Sequence, residues 1–412
     1  MNWPDWVKPS EIWLASSRCD LSKPARRIGA AGFDSYHGSL LHVRFISIAI
    51  TMEANTMSMR STCLAILALV ATLASPFAVA EKTYTIRLAE TWGPNSKILG
   101  ETPRNMAAMA ERMSAGRLKF RIDSSNKHKA PFGIFDLVRN GQYDMGHTAS
   151  YYYKGSIPNA MYFTTIPFGM ITPEMYAWFY HDDGMALMQK VYEPYGLLSF
   201  PGGNTSNQMG GWFRKEINSL DDLNGLKMRT PGFAGEVMSE LGVAVANLPP
   251  GELYTALERG TIDAVEWVGP ALDLQMGFHQ IAKYYYSGWQ EPNAEVQFLI
   301  NQKTWDSLPA DLQEILRVSM RTAAYDMYIQ STHESGVAWS RMTEDYPEVS
   351  HKVFPPEVIN ALRDTTNRLL DEFAENDELA REIITSQRDY LEQVRPWTNI
   401  SDKAYLDSVA DQ

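Results

Sequence analysis

From Thr83 to Ala89 the chain alternates polar and apolar residues, and Leu118 to Asp123 does so again, which predicts two strands. Between them Met106, Met109, Ala110 and Met113 recur at helical spacing. Phe132 to Arg139 predicts a helix stopped by Asn140-Gly141, and Tyr143 to Tyr153 a strand and loop. Met175 to Tyr192 predicts one aromatic-rich helix, and Leu197 to Phe200 a strand entering the glycine-rich stretch Pro201 to Asn207. A second series follows. Strands are predicted over Gly211–Ile217, Leu226–Thr230, Val243–Leu248, Ile262–Val268 and Val296–Asn301, with helices over Phe233–Leu241 and Glu252–Arg259. The end differs: Ala310 to about Tyr346 reads as one long helix, continuous or broken, and Pro356 to about Arg395 as another. Strands alternating with helices predict an α/β fold with mostly parallel sheets. The pattern describes two α/β lobes tied by strands and braced by long helices, with a cleft between them.

Ahead of this pattern, Met59 to Ala80 reads MRSTCLAILALVATLASPFAVA. Arg60 precedes an uncharged run from Cys63 to Ala74, and Ala78-Val79-Ala80 closes it, the layout of a secretory signal peptide cleaved after Ala80. The run is shorter than the roughly 20 residues that a membrane span requires. Residues 1–58 carry no repeat or motif; translation starting at Met57 or Met59 would make them a mis-called upstream extension. The expected division is then 59–80 signal peptide, 81–205 with about 300–345 as one discontinuous lobe, 206–299 as the second lobe, and 346–412 as a C-terminal helical region.

Composition sharpens the picture at this point. The chain of 412 residues has 49 acidic and 37 basic side chains, a net of −12, and 2 cysteines. Both cysteines, Cys19 and Cys63, precede the expected cleavage after Ala80, so the exported portion has no thiol chemistry and a net charge of −14. An acidic chain of this kind lacks the basic face that nucleic-acid binding requires.

No HExxH, GxSxG, Walker loop or helix-opening GxGxxG is present. The histidines of the exported portion (His128, His147, His181, His279, His333, His351) are scattered without metal-ligand spacing. Three places suggest binding instead. Arg229 ends a strand before Pro231-Gly232, where ligands of open α/β sheets bind, and a guanidinium fork suits a carboxylate. Glu266 sits in an apolar strand-like run and needs a cation, an arginine or backbone donors. Asn204 to Trp212, with Gln208 among glycines, offers amide and carbonyl oxygens to a hard cation. Each has an ordinary reading as well: a surface arginine, a structural salt bridge, a plain turn.

Taken together, GLKMRTPG (Gly225 to Gly232), LPPGELYTALERGTIDAVEW (Leu248 to Trp267), GGNTSNQMGGWFRKEI (Gly202 to Ile217), KYYYSGW (Lys283 to Trp289) and NQKTWDSLP (Asn301 to Pro309) resemble the solute receptors of tripartite ATP-independent periplasmic (TRAP) transporters, the DctP-type family, in its 2-oxo acid and monocarboxylate branch. The resemblance covers essentially residues 82–400. It implies a two-lobed periplasmic binding protein fold with hinge strands, no enzymatic turnover, and a periplasmic location. It implies that Arg229 pairs with the ligand carboxylate, and that a Na⁺ or Ca²⁺ ion bridges ligand and protein through Gln208, Glu266 and the carbonyl of Trp267. Gln297 stands where the resemblance implies a further acidic or amide ligand, and fewer carboxylates favour Na⁺ by charge count. Asn207, Tyr152 or Tyr153, and Trp92 are implied pocket residues, with wall packing as the alternative for the aromatics. The implied ligand is a small 2-oxo or 2-hydroxy monocarboxylate such as pyruvate, 2-oxobutyrate or lactate, and the implied partners are the small and large TRAP membrane subunits, with a homodimer through the C-terminal helices as a further expectation. Alternatives are a receptor of the same fold feeding an ATP-driven (ABC) transporter or a sensor kinase, and an exported enzyme.

Overall fold

The computed structural model describes residues 81–410, which contain all the elements below; the segments expected to be a signal peptide and an upstream extension lie outside the described residues. Eleven strands form two mixed sheets. In chain order they are β1 (Tyr84–Glu90), β2 (Leu118–Asp123), β3 (Met145–Thr148), β4 (Leu197–Asn204), β5 (Gly211–Phe213), β6 (Lys227–Arg229), β7 (Ala244–Ala246), β8 (Ala264–Val265), β9 (Tyr284–Tyr286), β10 (Glu295–Asn301) and β11 (Ser350–Lys352). The first sheet has the order β2-β1-β3-β10-β4, the second β11-β9-β5-β8-β6-β7.

The first sheet buries Ile86, Leu88 and Leu118 against Met106 and Ala110 of the Glu101–Met113 helix and against Leu312, Leu316 and Met320 of the long Ala310–Asp345 helix. Each of these isoleucine, leucine and methionine side chains, fully removed from water, contributes about 1.5–3 kcal/mol before the entropy of ordering it is counted. The long helix packs on β4, on Glu101–Met113 and on the Pro270–Met276 helix that follows β8, so it braces both sheets. The chain passes between the sheets at β4 to β5 and back at β9 to β10. These two passages run side by side: the Thr205 amide donates to the Ala294 carbonyl at 3.1 Å, Gln208 to Glu291 at 2.9 Å and Gly210 to Tyr286 at 2.7 Å. Gly288 is required here, because a Cβ would collide with the Gln208 carbonyl.

This double passage corrects the expectation of mostly parallel sheets. β10 returns between β3 and β4 antiparallel to both, and β5 pairs antiparallel with β8 and β9. The helix expected over Met175–Tyr192 is two, Thr172–His181 and Gly184–Tyr192, divided where Asp182 turns extended. The last helix also divides: Asp377 ends Pro356–Asn376 and caps Glu378–Thr398, its Oδ1 accepting the Ala380 amide at 2.8 Å. The strand expected over Ile262–Val268 is only Ala264–Val265, because the chain turns at Val268, whose amide donates to Asp273 Oδ1 at 3.1 Å. β9, β11 and the Pro270–Met276 helix carry no clear period and escape the sequence reading.

Candidate functional site

A small cavity, closed down to about 10 Å³ or roughly the room of one water molecule, lies beside the double passage. Its wall takes Trp92, Tyr151 and Tyr152 from segments after β1 and β3, Val296 from β10, Trp267 and Val268 from the end of β8, and Thr205 and Gln208 from the passage. Both sheets and the connection between them therefore contribute, which is the arrangement of a site that changes when the sheets move relative to one another.

Behind the Trp267 ring lies Arg229, fully buried, its guanidinium carbon 5.4 Å from the ring centroid. It sits at the carboxyl end of β6, and the parallel neighbour β8 delivers Glu266 next to it. Arg229 Nη1 donates to the Glu266 carbonyl at 2.6 Å and to Glu266 Oε2 at 3.2 Å, and Nε to the Leu248 carbonyl at 3.4 Å. Arg229 Nη2 and Glu266 Oε1 have no partner. Gln208 donates through Nε2 to Thr205 Oγ1 at 2.8 Å, which fixes the amide and leaves Oε1 without a partner. Glu291 is buried on the returning passage with Oε2 unpartnered. Of the seven buried, unpartnered side-chain atoms among the described residues, four belong to these four residues. An unmade hydrogen bond costs a buried polar group about 1–3 kcal/mol, so the concentration marks a place built to be completed by something else.

Electrostatics agree. Burial, with the like charge of Glu291, pushes the Glu266 carboxyl well above the ordinary value against the pull of Arg229. Burial raises Glu291 too, again opposed by Arg229. Two acids that resist ionisation for want of positive charge, beside one cation, would ionise beside a second. The unpartnered oxygens are a carboxamide oxygen of Gln208 and carboxylate oxygens of Glu266 and Glu291. That set fits a hard cation such as Na⁺ or Ca²⁺.

The structure thus brings Arg229, Gln208, Glu266 and Trp267 together, with Trp92 and Tyr152 on the cavity wall. It does not bring Gln297, Tyr153 or Asn207 there. Gln297 Oε1 accepts the hydroxyls of Tyr192 at 2.6 Å and Tyr153 at 3.2 Å inside the first sheet's core. Asn207 is exposed and donates to the Gln208 carbonyl at 3.4 Å. The reason is pleat and turn geometry: Val296 faces the cavity, so Gln297 faces away, and the tight turn Ser150–Tyr153 aims Tyr151 and Tyr152, not Tyr153, at the wall. Sequence reasoning misses Glu291 and Tyr151. Glu291 lies in an irregular stretch without a period, and only its isolated charge among Trp289, Gln290 and Pro292 signals it.

Residues 88–377 match the family model described as bacterial extracellular solute-binding protein, family 7 (DctP). The chain belongs to that family. As a family 7 receptor it is 36% identical over 320 residues to a monocarboxylate 2-oxoacid-binding periplasmic protein of Nostoc sp., covering 77% of this chain and 87% of the relative. Among solved structures, it is similar to a TRAP periplasmic solute binding protein from Colwellia psychrerythraea with bound calcium and pyruvate (61% identity, TM-score 0.79, 79% of this chain and 100% of that one). It is also similar to one from Pseudoalteromonas atlantica with bound sodium and pyruvate (62% identity, TM-score 0.79, 79% and 99%). The two-lobed α/β receptor fold expected from the sequence is the fold of this family 7 protein.

Proposed function

We propose that this receptor captures pyruvate or a similarly small 2-oxo or 2-hydroxy monocarboxylate in the periplasm, together with a cation, and delivers it to the small and large membrane subunits of a TRAP transporter. The observation that carries the reading is the cluster of unpartnered atoms, one guanidinium nitrogen and three oxygens, beside a cavity walled by both sheets. Arg229 offers Nη2 to the ligand carboxylate. Gln208, Glu266, the Trp267 carbonyl and Glu291, in the place expected of Gln297, hold the cation. When bound, the cation supplies positive charge for the carboxylate and the adjacent oxo or hydroxyl oxygen, so acids lacking that second oxygen bind less well. Counting Glu291 adds a second carboxylate and moves the charge balance toward Ca²⁺, whereas the sequence count favoured Na⁺. The pyruvate-bound relatives with calcium and with sodium support the ligand class and both ions.

The lobes of this reading are the two sheets, with β10 in the first sheet and β11 in the second. Ligand contacts from both lobes favour the closed form, and capture involves no turnover. The exposed Trp397, Ile400, Tyr405 and Leu406 at the C-terminal end support pairing of two copies there, which sedimentation velocity tests.

The decisive experiment is calorimetry with pyruvate in sodium-free buffer containing a chelator, then with Ca²⁺ or Na⁺ restored. Binding is expected only with a cation present. Full affinity without either ion would overturn the bridging cation, and no pyruvate affinity under any condition would overturn the ligand.

A further inference from the structure

His147 takes no part in the site described above, yet it is fully buried directly behind the cavity wall. It sits on β3, paired with Phe298 of β10. Trp92 Nε1 donates to His147 Nδ1 at 2.7 Å, and His147 Nε2 lies 3.0 Å from the Gly202 carbonyl. An indole N–H is a donor only, so Nδ1 must accept; the ring proton is then on Nε2 and is donated to Gly202. Only the neutral ring with this tautomer satisfies both contacts, and burial agrees, holding the imidazole down to about 4.

Gly202 is itself anchored from behind. Its amide and that of Gly203 each donate to Glu295 Oε1 at 3.1 Å, and Asn204 Nδ2 donates to Glu295 Oε2 at 3.0 Å. A Cβ at Gly202 would lie 2.7 Å from the Gln297 carbonyl carbon, so only glycine lets β4 approach β10 this closely. A continuous chain of hydrogen bonds thus runs from Glu295 through Gly202 and His147 to the indole of Trp92. On the cavity side Trp92 meets Tyr152 edge to face, with centroids 6.5 Å apart.

We infer that His147 is a positioning residue for ligand selection: it orients the Trp92 indole as the wall that limits the acyl group of the bound acid. The inference rests on the cavity being the monocarboxylate site proposed above. A large flat side chain held by one directional bond and one aromatic contact cannot rotate out of the way of a bulkier acid without breaking that bond.

Two substitutions separate positioning from packing, because each removes one of the two hydrogen bonds. In His147→Asn the Oδ1 stands near the Nδ1 position and keeps the acceptor for Trp92. In His147→Gln the longer amide reaches the Nε2 position and keeps the donor to Gly202. Both are expected to lower the urea midpoint similarly. Pyruvate affinity, measured with Ca²⁺ present, is expected to stay within about twofold in H147N and to fall about tenfold in H147Q, the equivalent of one hydrogen bond. The preference for pyruvate over 2-oxo acids with longer chains is expected to narrow only in H147Q. In a Trp92→Phe background, which lacks the N–H, the difference between the two variants is expected to vanish. Equal affinity losses in H147N and H147Q, or a difference that persists in W92F, would overturn the inference. The indole N–H resonance of Trp92, assigned through W92F, is a readout independent of ligand: it should shift in H147Q and not in H147N. If wild-type protein takes no pyruvate, the ligand reading fails, and an indole resonance unmoved by H147Q would by itself overturn the positioning role.

Discussion

Two buried glutamates of this protein each face one arginine, and they are completed differently. Glu174 accepts Arg395 Nε and Nη2 on its two oxygens, both at 2.8 Å, along with Thr398 Oγ1 at 2.7 Å and the Ile171 amide at 2.9 Å. Burial alone would raise its carboxyl, but these bonds outweigh it and hold Glu174 below the ordinary value. Glu266 receives a single 3.2 Å contact from Arg229 Nη1 on one oxygen, and its carboxyl is pushed well up. The first pair ties the Thr172–His181 helix to the Glu378–Thr398 helix and leaves both oxygens of Glu174 bonded. The second keeps a nitrogen and an oxygen in reserve. A fully bonded carboxylate serves the fold, whereas a half-bonded one at a cavity is open to a ligand.

The comparison breaks most visibly at the arginines. Arg229→Met is expected to weaken pyruvate binding by about 3–5 kcal/mol, because a buried charge loses its partner. Arg395→Met should leave pyruvate affinity within about twofold and instead cost about 1–3 kcal/mol of stability in urea, as Glu174 loses its bidentate partner. Calorimetry and urea unfolding of both variants check the crossover; equal effects of the two on affinity would erase the distinction.

A smaller effect is expected from pH. Glu174, with its folded value lowered, adds stability above the ordinary glutamate value of 4.5, and this is lost as pH falls through the folded value. Glu266 and Glu291, with folded values raised, act in the opposite sense: the folded protein binds the extra protons, so stability rises as pH falls toward 4.5. Glu295, raised to about 8 by burial, adds to the same trend. Ligand-free protein should therefore gain urea resistance between about pH 8 and pH 5 and lose it in stronger acid. Saturating Ca²⁺ and pyruvate should reduce the gain, leaving the part due to Glu295 and to Glu90 and Asp273, raised by burial to about 7 and about 6, less the opposing contribution of His147, held down to about 4. An unchanged slope would mean that neither Glu266 nor Glu291 faces the cation.

The smallest expected effect on binding comes from Gln297. Gln297→Met should leave pyruvate affinity unaltered, while the hydroxyls of Tyr153 and Tyr192 lose their acceptor at a cost of about 1–3 kcal/mol in stability. A tenfold loss of affinity would return Gln297 to the list of ion ligands.

Much of this was legible in the residues. Arg229 announced itself by standing at a strand end before Pro231-Gly232, and Glu266 by carrying a charge inside an apolar run. Both signals are local, and the parallel pairing of β6 with β8 brings them together. The tyrosines were ambiguous because three in a row fit any turn; only the turn over Ser150–Tyr153 selects Tyr151 and Tyr152 for the wall. Gln297 was placed from the resemblance, but one residue along a strand reverses the face, and β10 also shifts register between Val296 and Gln297.

By itself the sequence determined most of the element types, the α/β class, the family and the chemistry of the main candidate binding groups, because period, turn residues and charge in apolar surroundings are properties of short stretches. Only the tertiary structure decided that β10 returns antiparallel, that Glu291 is buried with an unpartnered oxygen, and that His147 stands behind Trp92. Each of these depends on residues far apart in the chain meeting in space, and such pairing leaves no mark on the local pattern of either partner.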